Sequence, residues 1–142
     1  MKGVVSYSLF FVLLLLTACN SNNPQPTIDY RDEFIGIWKF NGQRAVLHED
    51  QSGNETLNTY PIDNYWGIIS KSELDEERIV VGYLDGYQQE FKIDTNGVIY
   101  SSSNTPLGSI TNQNNLSLSW QTSSEGLYGI TIVQVGITGI KQ

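Results

Sequence analysis

Only one histidine and one cysteine occur among the 142 residues, so most nitrogen- and sulfur-based chemistry is out of reach from the start. A zinc centre needs three or four nitrogen or sulfur ligands, and His48 and Cys19 cannot assemble one. A lone cysteine also closes no intrachain disulfide, so a small domain built from this chain has to be held by its apolar core. Positive charge is scarce as well: eight Lys and Arg stand against fifteen Asp and Glu, a formal net charge of −7. Such a surface repels nucleic acid and anionic lipid headgroups. Oxygen ligation fares no better. Asp29, Asp32 and Glu33 form one acidic group and Asp75, Glu76 and Glu77 another. Neither has the Asp-x-Asp-x-Asp-Gly spacing that aims several ligands at one calcium ion. His48, beside Glu49 and Asp50, has no serine or cysteine marked out as its nucleophile and reads as a hydrogen-bonded surface residue. A carboxylate pair for glycosidic cleavage stays open as an alternative, because its defining separation is spatial. The expectation is a non-enzymatic protein with no metal and no cofactor.

Long hydrophobic runs are equally rare, and the one that stands out is Val4 to Leu16. As a helix it spans roughly 20 Å, short of a hydrocarbon core of about 30 Å. Lys2 precedes it and small residues follow it, which is the pattern of a signal peptide and not of a membrane-spanning helix. The string Leu16-Thr17-Ala18-Cys19 resembles the lipobox of bacterial lipoproteins. That resemblance implies cleavage before Cys19, lipidation of its sulfur and usually acylation of its amine. Two or more acyl chains anchor stably where one is marginal. The membrane is then a partner through the lipidated N-terminus. Asn20 to Pro26 is too polar and proline-rich to bury surface, so it forms a tether. From Cys19 to Tyr30 that tether reaches at most roughly 40 Å. Asn20 in the second mature position, with no acidic cluster behind it, implies by the same resemblance the periplasmic face of the outer membrane. The expected organisation is a signal peptide over 1–18, a tether over 19–29 and a single domain over 30–142. Loss of Lys2 leaves seven basic against fifteen acidic side chains, net −8.

Beyond the tether the pattern is strand, turn, strand. Leu116, Leu118 and Trp120 alternate with Ser117, Ser119 and Gln121, the signature of a strand with one face buried. Tyr87, Phe91 and Ile93 alternate with polar residues in the same way, and Arg78 to Leu84 is rich in β-branched residues. Asp85-Gly86 between those two runs predicts a type I′ hairpin. Asp94 to Gly97 predicts the next turn, before Val98 to Tyr100. Further strands are expected over 35–40, 45–49, 65–70, 107–111 and 127–135, with Asn41-Gly42 turning between the first two. Gly136 and Gly139 suggest a bend before Ile140. Ser72 to Glu77 offers at most one helical turn. About eight to ten short strands predict an all-β antiparallel meander, closed or nearly closed into a barrel, with a β-sandwich as the alternative.

Phe34-Ile35-Gly36-Ile37-Trp38 places a Gly-x-Trp motif at the head of this meander. It resembles the opening of calycin-type barrels such as lipocalins, fatty-acid-binding proteins and avidins. The longer string from Tyr30 to Gly36 is similar to the domain start of small Bacteroidetes-type lipoproteins described as lipocalin-like. The resemblance implies that Gly36 and Trp38 close one barrel end and that a C-terminal basic residue, here Lys141, packs on the indole. Two departures limit it. Asn41-Gly42-Gln43 leaves no room for a helical lid, and no further lipocalin motif follows.

Three Trp and eight Tyr make the chain aromatic-rich. Inside a barrel such rings either fill the core or line a cavity. The densest patch, Tyr60 to Trp66, reads as a loop before a strand, which makes Tyr60, Tyr65 and Trp66 the candidate rim of a binding site. The sequence therefore points to a lipid-anchored envelope barrel that binds a small apolar ligand or an envelope protein. The alternative is an accessory lipoprotein whose core is filled and whose outer surface does the binding.

Overall fold

The computed structural model describes residues 28–142, so Cys19 and most of the tether lie outside the described residues. A 3-10 helix at Tyr30–Glu33 leads into eight strands: β1 (Gly36–Asp50), β2 (Glu55–Lys71), β3 (Arg78–Leu84), β4 (Tyr87–Ile93), β5 (Val98–Tyr100), β6 (Pro106–Thr111), β7 (Asn115–Gly126) and β8 (Gly129–Lys141). Each pairs antiparallel with the next, and β1 pairs with β8 over thirteen residue pairs, from Trp38 with Lys141 to Asp50 with Gly129. That closure makes the meander a ring and not a sandwich.

The ring is uneven. β4 and β5 share only Lys92 with Tyr100 and Ile93 with Ile99. β2, β1, β8 and β7 run far beyond the other strands. Residues 55–67 of β2 pair only with β1, and residues 119–126 of β7 pair only with β8. One end of the molecule is thus a closed barrel, and the other is a four-stranded sheet with two free edges.

Period-two alternation fills the closed part. In β7, Leu116, Leu118 and Trp120 are buried while Asn115, Ser117 and Ser119 are exposed. In β3, Ile79, Val81 and Tyr83 are the buried set. Trp38 and Phe40 lie parallel with ring centroids 6.4 Å apart. Higher up, the Trp120 ring meets Tyr83 and Phe91 edge-on at 5.1 and 5.0 Å, bridging β7 to β3 and β4 across the interior. Each such aliphatic or aromatic side chain contributes roughly 1.5–3 kcal/mol when buried.

The 3-10 helix plugs the closed end. Trp38 Nε1 donates to the Phe34 carbonyl at 3.1 Å, and the Tyr30 hydroxyl donates to the Ile93 carbonyl at 2.8 Å. Arg31, only 6 % exposed, fastens the plug to the β2–β3 loop. Its Nε and Nη2 donate to the Asp29 carboxylate, and its Nη1 donates to the Asp75 and Arg78 carbonyls at 2.9 and 3.0 Å. The Arg31 side chain, then the Arg31 amide and Lys71, hold the Asp29 carboxyl far below the usual carboxylate range.

Four local expectations are corrected. Asn41-Gly42 is not a turn, because β1 runs unbroken through it. Glycine is needed there for approach: a Cβ on Gly42 would run into the Gly136 carbonyl of β8. The stretch Tyr60 to Trp66 is not a loop but part of β2. Pro61 fits because that part of β2 is a free edge, where a missing N–H leaves no ladder bond unmade. Strand β8 starts at Gly129, with Leu127 and Tyr128 in the turn, and passes Gly136 and Gly139 without a break. The hairpin at Asp85-Gly86 forms, but of the two only Gly86 has a positive φ, at 74°. Type I′ needs both central residues left-handed. That signature falls instead at Asn112 (φ 49°) and Gln113 (φ 62°), where the Asn114 amide donates to the Thr111 carbonyl at 3.2 Å.

Candidate functional site: the barrel mouth and an outer groove

A bulge in β2 decides which of its aromatics face where. Phe40 pairs with Tyr65 and Gly42 with Ile62, so β2 carries one residue more than β1 over this step. Asn64 takes up the extra residue with φ 51°, and its amide donates to Asn41 Oδ1 at 2.9 Å. Such a bulge flips the side-chain parity of everything beyond it. Tyr60 and Tyr65 consequently share the inner side of β2 with Ile62, and Trp66 points outward. The candidate rim of three aromatics is split between two surfaces.

The first surface is a groove of about 560 Å³ on the outer wall of β2, β3 and β4. Trp66 and Ile68 form one side, Leu84 and Tyr87 the other, and Gly82 provides a floor without a side chain. Trp66 and Ile68 are 58 % and 59 % exposed, so this apolar surface is open to solvent. Lys39 Nζ stands 5.8 Å from the Trp66 ring centre. Tyr65 reaches the groove edge, and its hydroxyl donates to Asp85 Oδ1 at 2.9 Å. That bond, with burial second, pushes the Tyr65 hydroxyl above its ordinary value.

The second surface is the mouth, where the closed barrel gives way to the open sheet. Arg44 shares the inward parity of Trp38 and Phe40 and pairs with Tyr60 on one side and Val135 on the other. Its guanidinium carbon lies 4.3 Å from the Tyr87 ring centre and 5.6 Å from that of Tyr60. Tyr83 lies beneath, its hydroxyl pushed up by burial against an opposing pull from Arg44. Stacking of this kind contributes about 0.5–2 kcal/mol. Yet Arg44 Nε is shut off from solvent and has no hydrogen-bond partner. A buried donor left so costs about 1–3 kcal/mol. Arg44 has no carboxylate within ion-pair reach among the described residues, a lack it shares with Lys39 and Lys141, whereas Arg31, Lys71, Arg78 and Lys92 each have at least one.

The remaining sequence candidates fall at the plugged end. Gly36 has φ 141°, and a Cβ there would stand 3.2 Å from Lys141 Cε. Trp38 is fully buried at the foot of the core. Lys141 faces Trp38 in register, but its Nζ is taken by the Glu33 carbonyl at 2.8 Å, a bond that ties β8 to the plug. The cation–ring contacts occur instead at Lys39 with Trp66 and at Arg44 with Tyr60 and Tyr87. His48 lies on the inner side of the open sheet, with Nδ1 3.1 Å from Thr131 Oγ1. Among the described residues no three His, Cys, Asp or Glu side chains gather as a metal site.

Arg44 was missed because a turn placed at Asn41-Gly42 hides its parity. Counted along an unbroken strand, 38, 40, 42 and 44 face one side, and an arginine among core positions is the readable signal. Comparison with protein families, curated proteins and solved structures found no match for this chain.

Proposed function

We propose that this chain is a lipid-anchored, non-enzymatic protein of the bacterial cell envelope that binds an envelope partner through its outer wall. The observation that carries the reading is the contrast between a packed interior and the apolar side chains of Trp66 and Ile68, which stand exposed in an open groove on the outer wall. A barrel built to carry a ligand keeps its interior free; here Trp120 spans it by touching Tyr83 and Phe91. Exposed apolar surface of this kind, rimmed by polar residues, is characteristic of interaction sites. Trp and Tyr are also the residues most enriched among binding hot spots. Anchoring through Cys19 holds the plugged end towards the outer membrane, since the chain enters the domain at Ile28 beside the 3-10 helix. From Cys19 to Ile28 the tether reaches about 30 Å.

Two measurements test it. Cys19→Ala releases the protein from the membrane pellet into the soluble envelope fraction; retention in the pellet refutes the anchor. A photo-crosslinking side chain at position 68 captures one discrete species in intact envelopes, a control at Ser123 captures none, and Trp66→Ala abolishes capture. Equal labelling from 68 and 123 refutes the groove. A small apolar ligand is the second reading, favoured by the adjacent exposed faces of Trp66 and Ile68. It places the ligand on the outer wall and not inside the barrel.

A further inference from the structure

Every other described arginine in this acidic chain is matched to a carboxylate, and Arg44 alone is not. Its surroundings explain how it is held without one. Tyr87 stacks on the guanidinium from across the mouth and Tyr60 flanks it from the neighbouring strand. Both rings are nearly half exposed, at 44 % and 45 %. They orient the fork but supply no acceptor in its plane, so Nε is left unpartnered.

We propose that the barrel mouth is a binding site for an oxyanion, a carboxylate or a phosphate monoester, carried on a flat apolar body. The oxyanion meets Arg44 end-on at its two Nη groups, since Nε is shut off from solvent, and a guanidinium takes planar or tetrahedral oxyanions there with two parallel bonds. The apolar body lies against the exposed faces of Tyr60 and Tyr87. The Tyr83 hydroxyl, beneath the guanidinium, adds a further donor. The open sheet keeps this end accessible, because β3 to β6 stop short of it. The site faces away from the plugged end and meets the Trp66 groove only at Tyr87; it is argued from Arg44 and not from the groove, so it stands whether or not the anchor and partner reading holds.

The test uses the full mature protein in non-ionic detergent with three probes: phenyl phosphate, benzoate and the neutral benzyl alcohol. The Arg44 Nε–H resonance shifts and saturates with at least one anion and not with the alcohol. A response to phenyl phosphate alone assigns a phosphate ester, to benzoate alone a carboxylic acid, and to both the shared oxyanion chemistry. Arg44→Met weakens anion binding by roughly tenfold or more while the amide fingerprint of the fold persists. If Arg44→Met does not fold, the wild-type contrast between anion and alcohol decides alone. An unmoved Nε–H with both anions, equal shifts with all three probes, or unchanged affinity in a folded Arg44→Met overturns the proposal.

Discussion

Replacing Arg31 by Met removes the clamp that fastens the plug while keeping most of the aliphatic stem. The guanidinium makes a charge-assisted pair with Asp29, at 2.7 Å from Nη2, and two bonds from Nη1 to the Asp75 and Arg78 carbonyls. Hydrogen bonds to charged groups contribute about 1.5–3 kcal/mol each, and breaking a buried pair from one side costs about 3–5 kcal/mol. The Arg31 side chain is 7 % exposed but that of Asp29 is 28 % exposed, so solvent screens the pair and the lower end applies. The expected loss is about 3 kcal/mol, or roughly 10 °C in Tm for a domain of this size. Urea unfolding followed by tryptophan fluorescence measures it, with an unchanged m-value showing that the two-state comparison is valid. Asp29→Asn should cost clearly less, because Nη1 keeps both carbonyls. A loss below about 1 kcal/mol for Arg31→Met, or an equal loss for both variants, refutes the clamp as the device holding the plug.

Gly86→Ala and Gly97→Ala share a left-handed backbone, with φ 74° and 79°, but differ in space: nothing lies near a Cβ on Gly86, and one on Gly97 meets the Ile110 carbonyl. The first should lose about 1–2 kcal/mol and the second about 1–3 kcal/mol more, read from chemical denaturation. Trp66→Ala, at an exposed outer position, should leave stability within about 1 kcal/mol, so any loss of crosslinking reports binding and not folding. Acid should unfold the protein in a defined direction. The Arg31 side chain depresses the Asp29 carboxyl and Asn54 depresses that of Asp50. Their folded values lie below the unfolded ones, so the unfolded state binds protons first as pH falls. The stability they contribute is complete above about pH 4 and drains below it. Circular dichroism melts at falling pH should show this, and Asp29→Asn should flatten the dependence. A flat wild-type profile between about pH 5 and pH 2 would contradict the assignment.

The strands at Arg78 to Ile93 and at Leu116 to Trp120 were legible because their partners lie close in sequence and one face of each is buried. Alternation then reports the core directly. The long strands β1 and β2 were not legible in full. Asn-Gly and Pro are local turn signals, and here they serve a strand-to-strand approach and a free edge, both set by residues far away in the chain. The candidate site suffered the same fate. Tyr60, Tyr65 and Trp66 are consecutive enough to read as one rim, yet the bulge at Asn64 sends Trp66 to the other side.

Sequence alone determined the fold class, a core with no disulfide to support it, and the scarcity of groups for catalysis or metal binding, since composition and period-two patterning are local and cumulative. Tertiary structure alone decided that the ring closes through β1 and β8, that its interior is packed, and that Arg44 stands between two tyrosines without a carboxylate. Those outcomes depend on registers between strands up to a hundred residues apart, such as Trp38 with Lys141, and on a single extra residue in β2. Alternation says which face of a strand is buried but not which residue of a distant strand lies opposite it, and one extra residue turns every side chain beyond it to the other face.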